Sequence, residues 1–414
     1  MCPMKSDEDA SRVHQAWQQY CASFEESLRA LERTPRFQDN VHDRKQAYIA
    51  LLQAQAMAYN WVVAPRPEVA RVYTHTAWNT NVYTLGGNGS DDCLAIAFLD
   101  GRATYRLRGR LGQLRLITLQ HFSHALGHPD ARMLGNYEWT PDDPAADGRL
   151  DLIFSASKQD GNWIRLDGQS QHNFLFFRRK LGDWFDDLGE LDVETLSPPP
   201  ASANDSECVV ERIDAARGFC KYLIEKWAIG IYDVFRAKAG GRPNSVSYFP
   251  GKDIAQGYAG SPSTDYAGIV YEIQADEAMI IELERPDAAY WSIQLFDVWS
   301  KSLDFMNYQT DVNLLRAVVD ADDKLRCVIS HSDPGLANWL DCRGQSTGFA
   351  VFRNYRARTQ PVPVVRIVKL SELKQALPPE TAQVTPAERA KALTYRQLGL
   401  RRLYDLPGAS QRPE

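Results

Sequence analysis

Nowhere does the chain hold a run of roughly 18 apolar residues, the length a helix needs to cross a bilayer. Residues 1–9 lack the positive region and apolar stretch of a secretory leader, so a cytoplasmic location and no membrane partner are expected. A basic excess is missing too: 47 Lys and Arg stand against 53 Asp and Glu, a net charge of −6. Without a cationic field to gather phosphate backbones, nucleic acid is not an expected partner. The seven cysteines (Cys2, Cys21, Cys93, Cys208, Cys220, Cys327, Cys342) are scattered and form no Cys-x-x-Cys pair, unlike a disulfide framework or a zinc site. Reduced thiols and no metal are expected. Also absent are the Gly-x-Ser-x-Gly elbow, the P-loop, a helix-opening Gly-x-Gly-x-x-Gly and His-Glu-x-x-His, which removes the common nucleotide, serine-hydrolase and zinc-protease readings and leaves no cofactor implied.

What the chain does have is length and rings. Its 414 residues, 44% hydrophobic and 11% aromatic, suffice for two or three packed units. Trp17, Tyr20, Phe24, Leu28 and Leu31, then Tyr48, Leu51, Leu52 and Ala56, recur at three- and four-residue steps and predict helices across an N-terminal region, 1–69. Between 70 and 195 the texture changes to short runs bounded by Gly, Asn and Asp, at 72–83, 93–99, 103–107, 114–122, 150–156 and 173–179, which read as a first antiparallel β region. The proline-rich stretch 196–206 reads as a linker. Helical spacing returns in a central helix within 207–243, and strands follow at 269–273, 279–283, 290–296, 325–331, 348–355 and 364–370 within a second β region, 244–370. A C-terminal helix and tail occupy 371–414, opened by the capping box Thr385-Pro386-Ala387-Glu388. The expected fold is mainly β, of the α+β class: antiparallel sandwich or jelly-roll-like sheets with N-terminal, central and C-terminal helices. Helices followed by a sheet occur twice, but no internal repeat is strong enough to assert.

Several polar groups could carry chemistry. His121, His124 and His128 would share one face of a helix as metal ligands, yet the preceding residues read as a strand, which turns His121 and His124 to opposite faces. Asn162-Trp163 could enter a pocket or plug the core, and Arg106 and Arg108 could receive an anion or lie on a solvated sheet face. The densest set lies between Tyr290 and Arg353. Tyr290 and Gln294 share one strand face. Asp304, Asn307, Gln309 and Asn313 crowd the following loop, costly to bury without partners. His331 continues the face of Leu325, Cys327 and Ile329, and Asp333 is close enough in sequence to orient it as a general base or acid. Asn338, Trp339 and Asp341 follow. Equally physical is a reading in which His331, Asp333, Asn338 and Asp341 shape turns and Trp339 plugs the core.

Three segments here carry a likeness: Tyr290-Trp291-Ser292-Ile293-Gln294-Leu295 with Ser302-Leu303-Asp304 and Asn307-Tyr308-Gln309-Thr310; His331-Ser332-Asp333-Pro334-Gly335 with Asn338-Trp339-Leu340-Asp341; and Phe352-Arg353. Together they resemble the bacterial domain-of-unknown-function family twelve-fourteen over roughly Ser261 to Leu370, while Asn162-Trp163 and the Thr385-Pro386 helix resemble the flanks of its full-length members. The resemblance implies a jelly-roll-like antiparallel fold with helical additions and no accepted reaction. The segment Asn79 to Asp92 departs from the family pattern by its length.

Two functions are therefore expected in competition. One is a cofactor-independent small-molecule enzyme, a hydrolase or lyase acting on a hydroxylated or ring-containing metabolite. In it His331 is base or acid, Asp333 or Asp304 its orienter, and Tyr290, Gln294, Asn307, Gln309, Asn313, Asn338, Trp339, Asp341 and Arg353 bind substrate. The other is a non-catalytic small-molecule-binding or assembly protein, with a second copy of the chain as an open partner.

Overall fold

Alternating runs become strands with two buried faces. In the computed structural model, which describes residues 7–65, 69–74, 84–143, 148–198, 205–258 and 260–403, Leu94, Ile96 and Phe98 turn to one core while Cys93, Ala95, Ala97 and Leu99 turn to another. The first set of strands is β1 (Tyr73–Thr74), β2 (Asp92–Leu99), β3 (Thr104–Arg110), β4 (Leu116–Phe122), β5 (Met133–Trp139), β6 (Arg149–Ser155), β7 (Trp163–Arg165), β8 (Asn173–Lys180) and β9 (Glu190–Ser197). The second is β10 (Ser245–Phe249), β11 (Thr264–Glu272), β12 (Glu277–Glu284), β13 (Ala288–Phe296), β14 (Asp311–Asn313), β15 (Lys324–Ser330), β16 (Trp339–Asp341), β17 (Thr347–Ala357) and β18 (Val364–Lys369).

Each set folds into a sandwich of two sheets. The first pairs β1-β2-β8-β4-β5 with β7-β6-β3-β9, and the second pairs β10-β11-β17-β13-β14 with β16-β15-β12-β18. Adding nine to every strand number converts one topology into the other, including the single parallel step, β6 with β7 and β15 with β16. The chain is thus an internal duplication in three dimensions. Register aligns the halves residue by residue: Arg178 lies opposite Leu94 and Thr118 in its sheet, and Arg353 lies opposite Tyr266 and Ser292 in the other. Phe174-Leu175-Phe176-Phe177-Arg178 and Phe349-Ala350-Val351-Phe352-Arg353 are then counterparts, as are Gln120 and Gln294.

Helices α1 (Asp7–Glu32), α2 (Pro35–Asp39) and α3 (Val41–Ala58) precede the first sandwich. The Asn40 side chain caps α3 by accepting from the backbone N–H of His42 and Asp43, and α3 runs into a π-helical turn at Tyr59–Val63. Ahead of the second sandwich the helix expected across 207–238 forms as α4 (Asp205–Tyr222), a π-helical stretch at Leu223–Gly230, and α5 (Ile231–Lys238). Three more helices follow, α6 (Gly251–Tyr258), α7 (Leu373–Ala376) and α8 (Pro386–Leu403). The expected capping box opens α8, with the Thr385 hydroxyl accepting from the Glu388 N–H and the Glu388 carboxylate accepting from the Thr385 N–H.

The long helices cross between the halves. The start of α3 is fastened to the second half, where the Trp299 indole in the β13–β14 loop donates to the Asp43 carbonyl at 2.7 Å. Its end returns to the first half, where Trp61 packs on Phe174 and Phe176. The α4–α5 arm does the reverse: Gly218 of α4 lies so close to the β4–β5 loop that a Cβ there would meet the Gly127 carbonyl at 2.7 Å, and Phe235 of α5 packs on Phe249 and Phe349. Ala47, Ala50 and Ala54 keep the two arms close, and the Cys220 thiol donates to the Ala54 carbonyl. One apolar core joins the helices to both five-stranded sheets, with a separate core inside each sandwich.

Of the run expected at 72–83, Tyr73–Thr74 is strand and 75–83 lies outside the described residues, as do 199–204 of the proline-rich stretch and 404–414 of the tail. The strand β9 extends into the stretch read as linker, and β5, β7, β9, β10, β14 and β16 were not anticipated from the sequence. The six described cysteines are free thiols. No helix among the described residues is long and apolar enough to cross a membrane.

Candidate functional site

The residues singled out between Tyr290 and Arg353 separate into four places. The first is the end of β15. His331 is half-buried and its Nε2 lies 3.4 Å from the Ile273 carbonyl, while Asp333 turns away to accept from the Arg389 guanidinium of α8 at 3.0 Å. Arg389 also donates to Gln309 Oε1 at 2.7 Å and to the Leu336 carbonyl, and lies over the Trp339 ring. Gln309 Nε2 in turn donates to the Ala337 and Trp339 carbonyls. His-x-Asp-Pro-Gly thus seats the C-terminal helix. Replacing Arg389 with alanine is expected to lower stability by about 1.5–3 kcal/mol, the value of a hydrogen-bonded charged group, whereas His331→Ala, losing one long contact, stays within about 1 kcal/mol. Urea unfolding of the two variants checks this, and equal losses would reject the division of roles.

The duplication explains Asn338-Trp339 and Asn162-Trp163 together. Asn338 Nδ2 donates to the Arg326 carbonyl and the Trp339 indole to the Ser330 carbonyl. In the other half Asn162 Nδ2 donates to the Asp151 carbonyl and the Trp163 indole to the Ser155 carbonyl. Each pair pins a short parallel strand to its neighbour. Asp341 accepts from the Arg343 N–H and guanidinium. In a second place, Asp304 accepts from the Asn307 N–H and Nδ2, closing a turn.

The third place is a solid polar seam between the sandwiches. Tyr290 donates to Asp91, Asn313 donates to Asp91 at 3.0 Å and to the Leu181 and Gly182 carbonyls, and Arg316 bridges Asp91 and Asp311. Arg396 of α8 completes it through Asp311. Burial pushes the Tyr290 phenol well above its usual range, with Asp91 adding to the effect. Burial would also raise the Asp311 carboxyl, but Arg396 and Arg316 outweigh it and hold the group below its ordinary value. Beside the seam, Asp92 pairs with fully buried Lys180, whose ammonium sits over the Tyr355 ring at 4.2 Å. Burial lowers the Lys180 pKa against the pull of Asp92.

The fourth place is the pocket that Arg353 lines, whereas Asn338 borders only a space of ≈ 10 Å³ beside Leu336 and Leu377. Where the two five-stranded sheets converge beneath the π-helical stretch, a cavity of ≈ 60 Å³ is lined by Phe176, Trp227, Phe235, Tyr258, Tyr266 and Phe349 among its rings, and by Asn88, Asp92, Arg178, Arg353 and Tyr355 among its polar groups. Arg178 and Arg353 are the counterpart residues of the duplication. Arg353 is only 6% exposed; its Nη2 donates to the Gly87 carbonyl, and its Nη1 has no partner among the described residues. Gln120 accepts from Arg178 and donates to the Gly260 carbonyl at 2.7 Å, and its counterpart Gln294 accepts from the Ser90 N–H, so each half reaches into the other's loop. Gly87 forms the roof: at φ +69° and with a Cβ position 2.4 Å from Trp227, only glycine fits without strain. Burial raises the Tyr266 phenol to about 12, which keeps it a neutral hydrogen-bonding group. Among the described residues Asp92 is the one acidic residue in the wall, and it pairs with Lys180.

Two wider clefts are more open. One, of ≈ 780 Å³, runs between α4 and the loops after β4 and β7 and includes His124, His128 and His172. There His124 and His128 stack at 4.2 Å, while His121 lies buried on β4 with Nε2 against Asn173, so the three do not converge. Among the described residues no group of three or more His, Cys, Asp or Glu could hold a metal ion. The other, of ≈ 490 Å³, is lined by Asp304, Tyr308, Lys301 and Arg343. Arg106 and Arg108 pair with Asp151 and Glu194 on a solvated sheet face. Arg178, which sequence reasoning passed over, had one detectable signal: the Phe-x-x-Phe-Arg pattern that recurs ending at Arg353.

Residues 264–359 match the model of a family described as a protein of unknown function, DUF1214. The crystal structure of an uncharacterized protein from Burkholderia cenocepacia superposes with a TM-score of 0.76 at 23% identity, covering 87% of this chain and 99% of that one. A protein from Vibrio parahaemolyticus is a looser match, at TM-score 0.44 and 13% identity over 77% of this chain and 100% of its own. The first shows that the fold is shared. No curated protein gives a significant match.

Proposed function

We propose that this chain, whose residues 264–359 belong to the DUF1214 family, is a small-molecule-binding protein that takes its ligand into the cavity between the two sandwiches. The observation that carries this is Arg353: a guanidinium nine-tenths buried in an aromatic wall, with a donor left over among the described residues, lining a pocket between the sheets. Leaving a buried charged donor unmet costs more than an ordinary hydrogen bond returns. A ligand acceptor offsets that cost. The π-helical stretch beside the cavity adds support, since such bulges concentrate at functional sites.

General acid-base catalysis at His331 has less behind it. Asp333 is engaged by Arg389 instead of orienting the ring, and His331 is not in the cavity wall. A thermal-shift screen of polar metabolites against the wild type and Val351→Phe, which fills the cavity, tests the binding reading. Overpacking lowers the variant's own midpoint by a cost of about 1–3 kcal/mol, so shifts are compared within each protein. At least one compound should stabilise the wild type and leave Val351→Phe unmoved. If every stabilising compound acts equally on both, the cavity is not where ligands bind.

A further inference from the structure

We infer that the ligand of this cavity is a short-chain carboxylate, an inference that rests on the binding reading above and adds the ligand's charge and size. Size comes from the free space. An engineered cavity of about 150 Å³ holds benzene, so ≈ 60 Å³ suits a guest of a few heavy atoms better than an aromatic ring or a sugar. Charge comes from the wall. Arg353 and Arg178 both line it, and among the described residues its single carboxylate, Asp92, is matched by Lys180, so the charge that Arg353 brings is the one the guest meets. Arg353 gives Nη2 to a backbone carbonyl and keeps Nη1 unsatisfied among the described residues. A guanidinium donor in such surroundings is best met by an anionic oxygen.

The rest of the wall separates carboxylate from phosphate. A phosphate dianion carries acceptor oxygens on all sides and would press some of them against Trp227, Phe176, Phe235 and Phe349, with a desolvation cost those rings cannot repay. A carboxylate presents two oxygens at one end and a methyl or short alkyl group at the other. Its charged end meets Arg353 and its apolar end meets the rings, with the Tyr266 and Tyr355 phenols, held neutral by burial, tolerating both. The position between counterpart residues of the two halves gives the guest contacts from both sandwiches, so binding draws them together.

Acetate and acetamide, nearly identical in shape and different in charge, form the test, with phosphate and chloride as further arms at matched ionic strength. At about 30 times its Kd, acetate is expected to raise the melting midpoint of the full chain by about 2 °C, with acetamide, phosphate and chloride giving no comparable shift. Arg353→Met should lose the acetate shift, Arg353→Lys should weaken it at least fivefold in Kd because a point charge replaces the fork, and Val351→Phe should lose it by filling the space. Equal shifts from acetamide and acetate, both lost in Val351→Phe, overturn the carboxylate assignment while the binding reading stands. A phosphate shift larger than that of acetate overturns the assignment in the same way. An acetate shift that survives in both Arg353→Met and Val351→Phe places the anion elsewhere and overturns the inference. The absence of any acetate shift overturns it too, and the metabolite screen then decides the broader reading alone.

Discussion

Replacing Trp299 with alanine is expected to lower the stability of the chain by about 3–5 kcal/mol, the range for losing a fully buried large aromatic side chain. Trp299 has no solvent exposure. Its indole N–H reaches the Asp43 carbonyl of α3, and the Arg36 guanidinium covers its ring at 4.6 Å. The side chain therefore connects a loop of the second sandwich to helices that begin the chain, and its removal opens a cavity where three elements meet. Trp17, about half exposed on α1, is the control, and its alanine variant should change stability by less than about 1 kcal/mol. Denaturant unfolding of both variants is the measurement. Equal losses would mean that the Trp299 contact does not hold the halves together.

Asp311 should matter as much. It is 1% exposed and accepts from Arg396 and Arg316, which also reaches Asp91. Breaking such a pair from one side leaves a buried cation uncompensated and costs about 3–5 kcal/mol, so Asp311→Ala is expected to be among the most destabilising single changes in the second half. The pH dependence has a definite sign. The folded-state carboxyl lies below its ordinary value, so the unfolded chain binds the proton more readily. The stabilisation is complete above the usual carboxylate pKa of about 4 and disappears as the pH falls through the depressed folded value. Asp311→Asn should thus be weaker than the wild type at neutral pH and lose less on acidification below pH about 4. Parallel acid limbs for the two proteins would contradict the pairing.

Much of the fold could be read from residue order because alternation is a local property. The runs at 93–99, 290–296, 325–331 and 348–355 each became a strand, and Trp291, Ile293 and Leu295, like Leu325, Cys327 and Ile329, share the apolar face that alternation gave them. Short strands escaped: β7 and β16 have three residues each, too few to show a period, and their Asn-Trp pairs resemble turn signals as much as strand entries. β5 and β9, with few fully buried positions, carry only part of the alternating signal. The repeat was hidden for a different reason. Counterpart positions can differ in size, charge and hydrogen-bonding type, as with Leu116 and Tyr290 or Lys180 and Tyr355, and register reveals what similarity of residues does not.

The polar cluster shows where reading along the chain stops. His331 and Asp333 are neighbours in sequence, and proximity suggested that one orients the other. In three dimensions Arg389 claims Asp333 from more than fifty positions away. A strong charge-assisted hydrogen bond outweighs adjacency, and no local pattern announces it. Arg353 was chosen as a binding residue for its place in a motif; its cavity needed Arg178 and the π-helical Trp227, contributed by distant segments.

The crossing of the helices bears on how the chain is made. The first sandwich is complete in sequence at Ser197, yet α4, whose Phe219 joins Phe98, Phe122 and Phe174 in one core, follows it in the chain. At a synthesis rate of about 5–20 residues per second, the nascent protein spends seconds with those rings exposed to solvent and to other emerging chains. Newly made protein is then exposed to aggregation in a way the finished molecule is not, and a chaperone that recognises exposed aromatic surface would find it only during that interval.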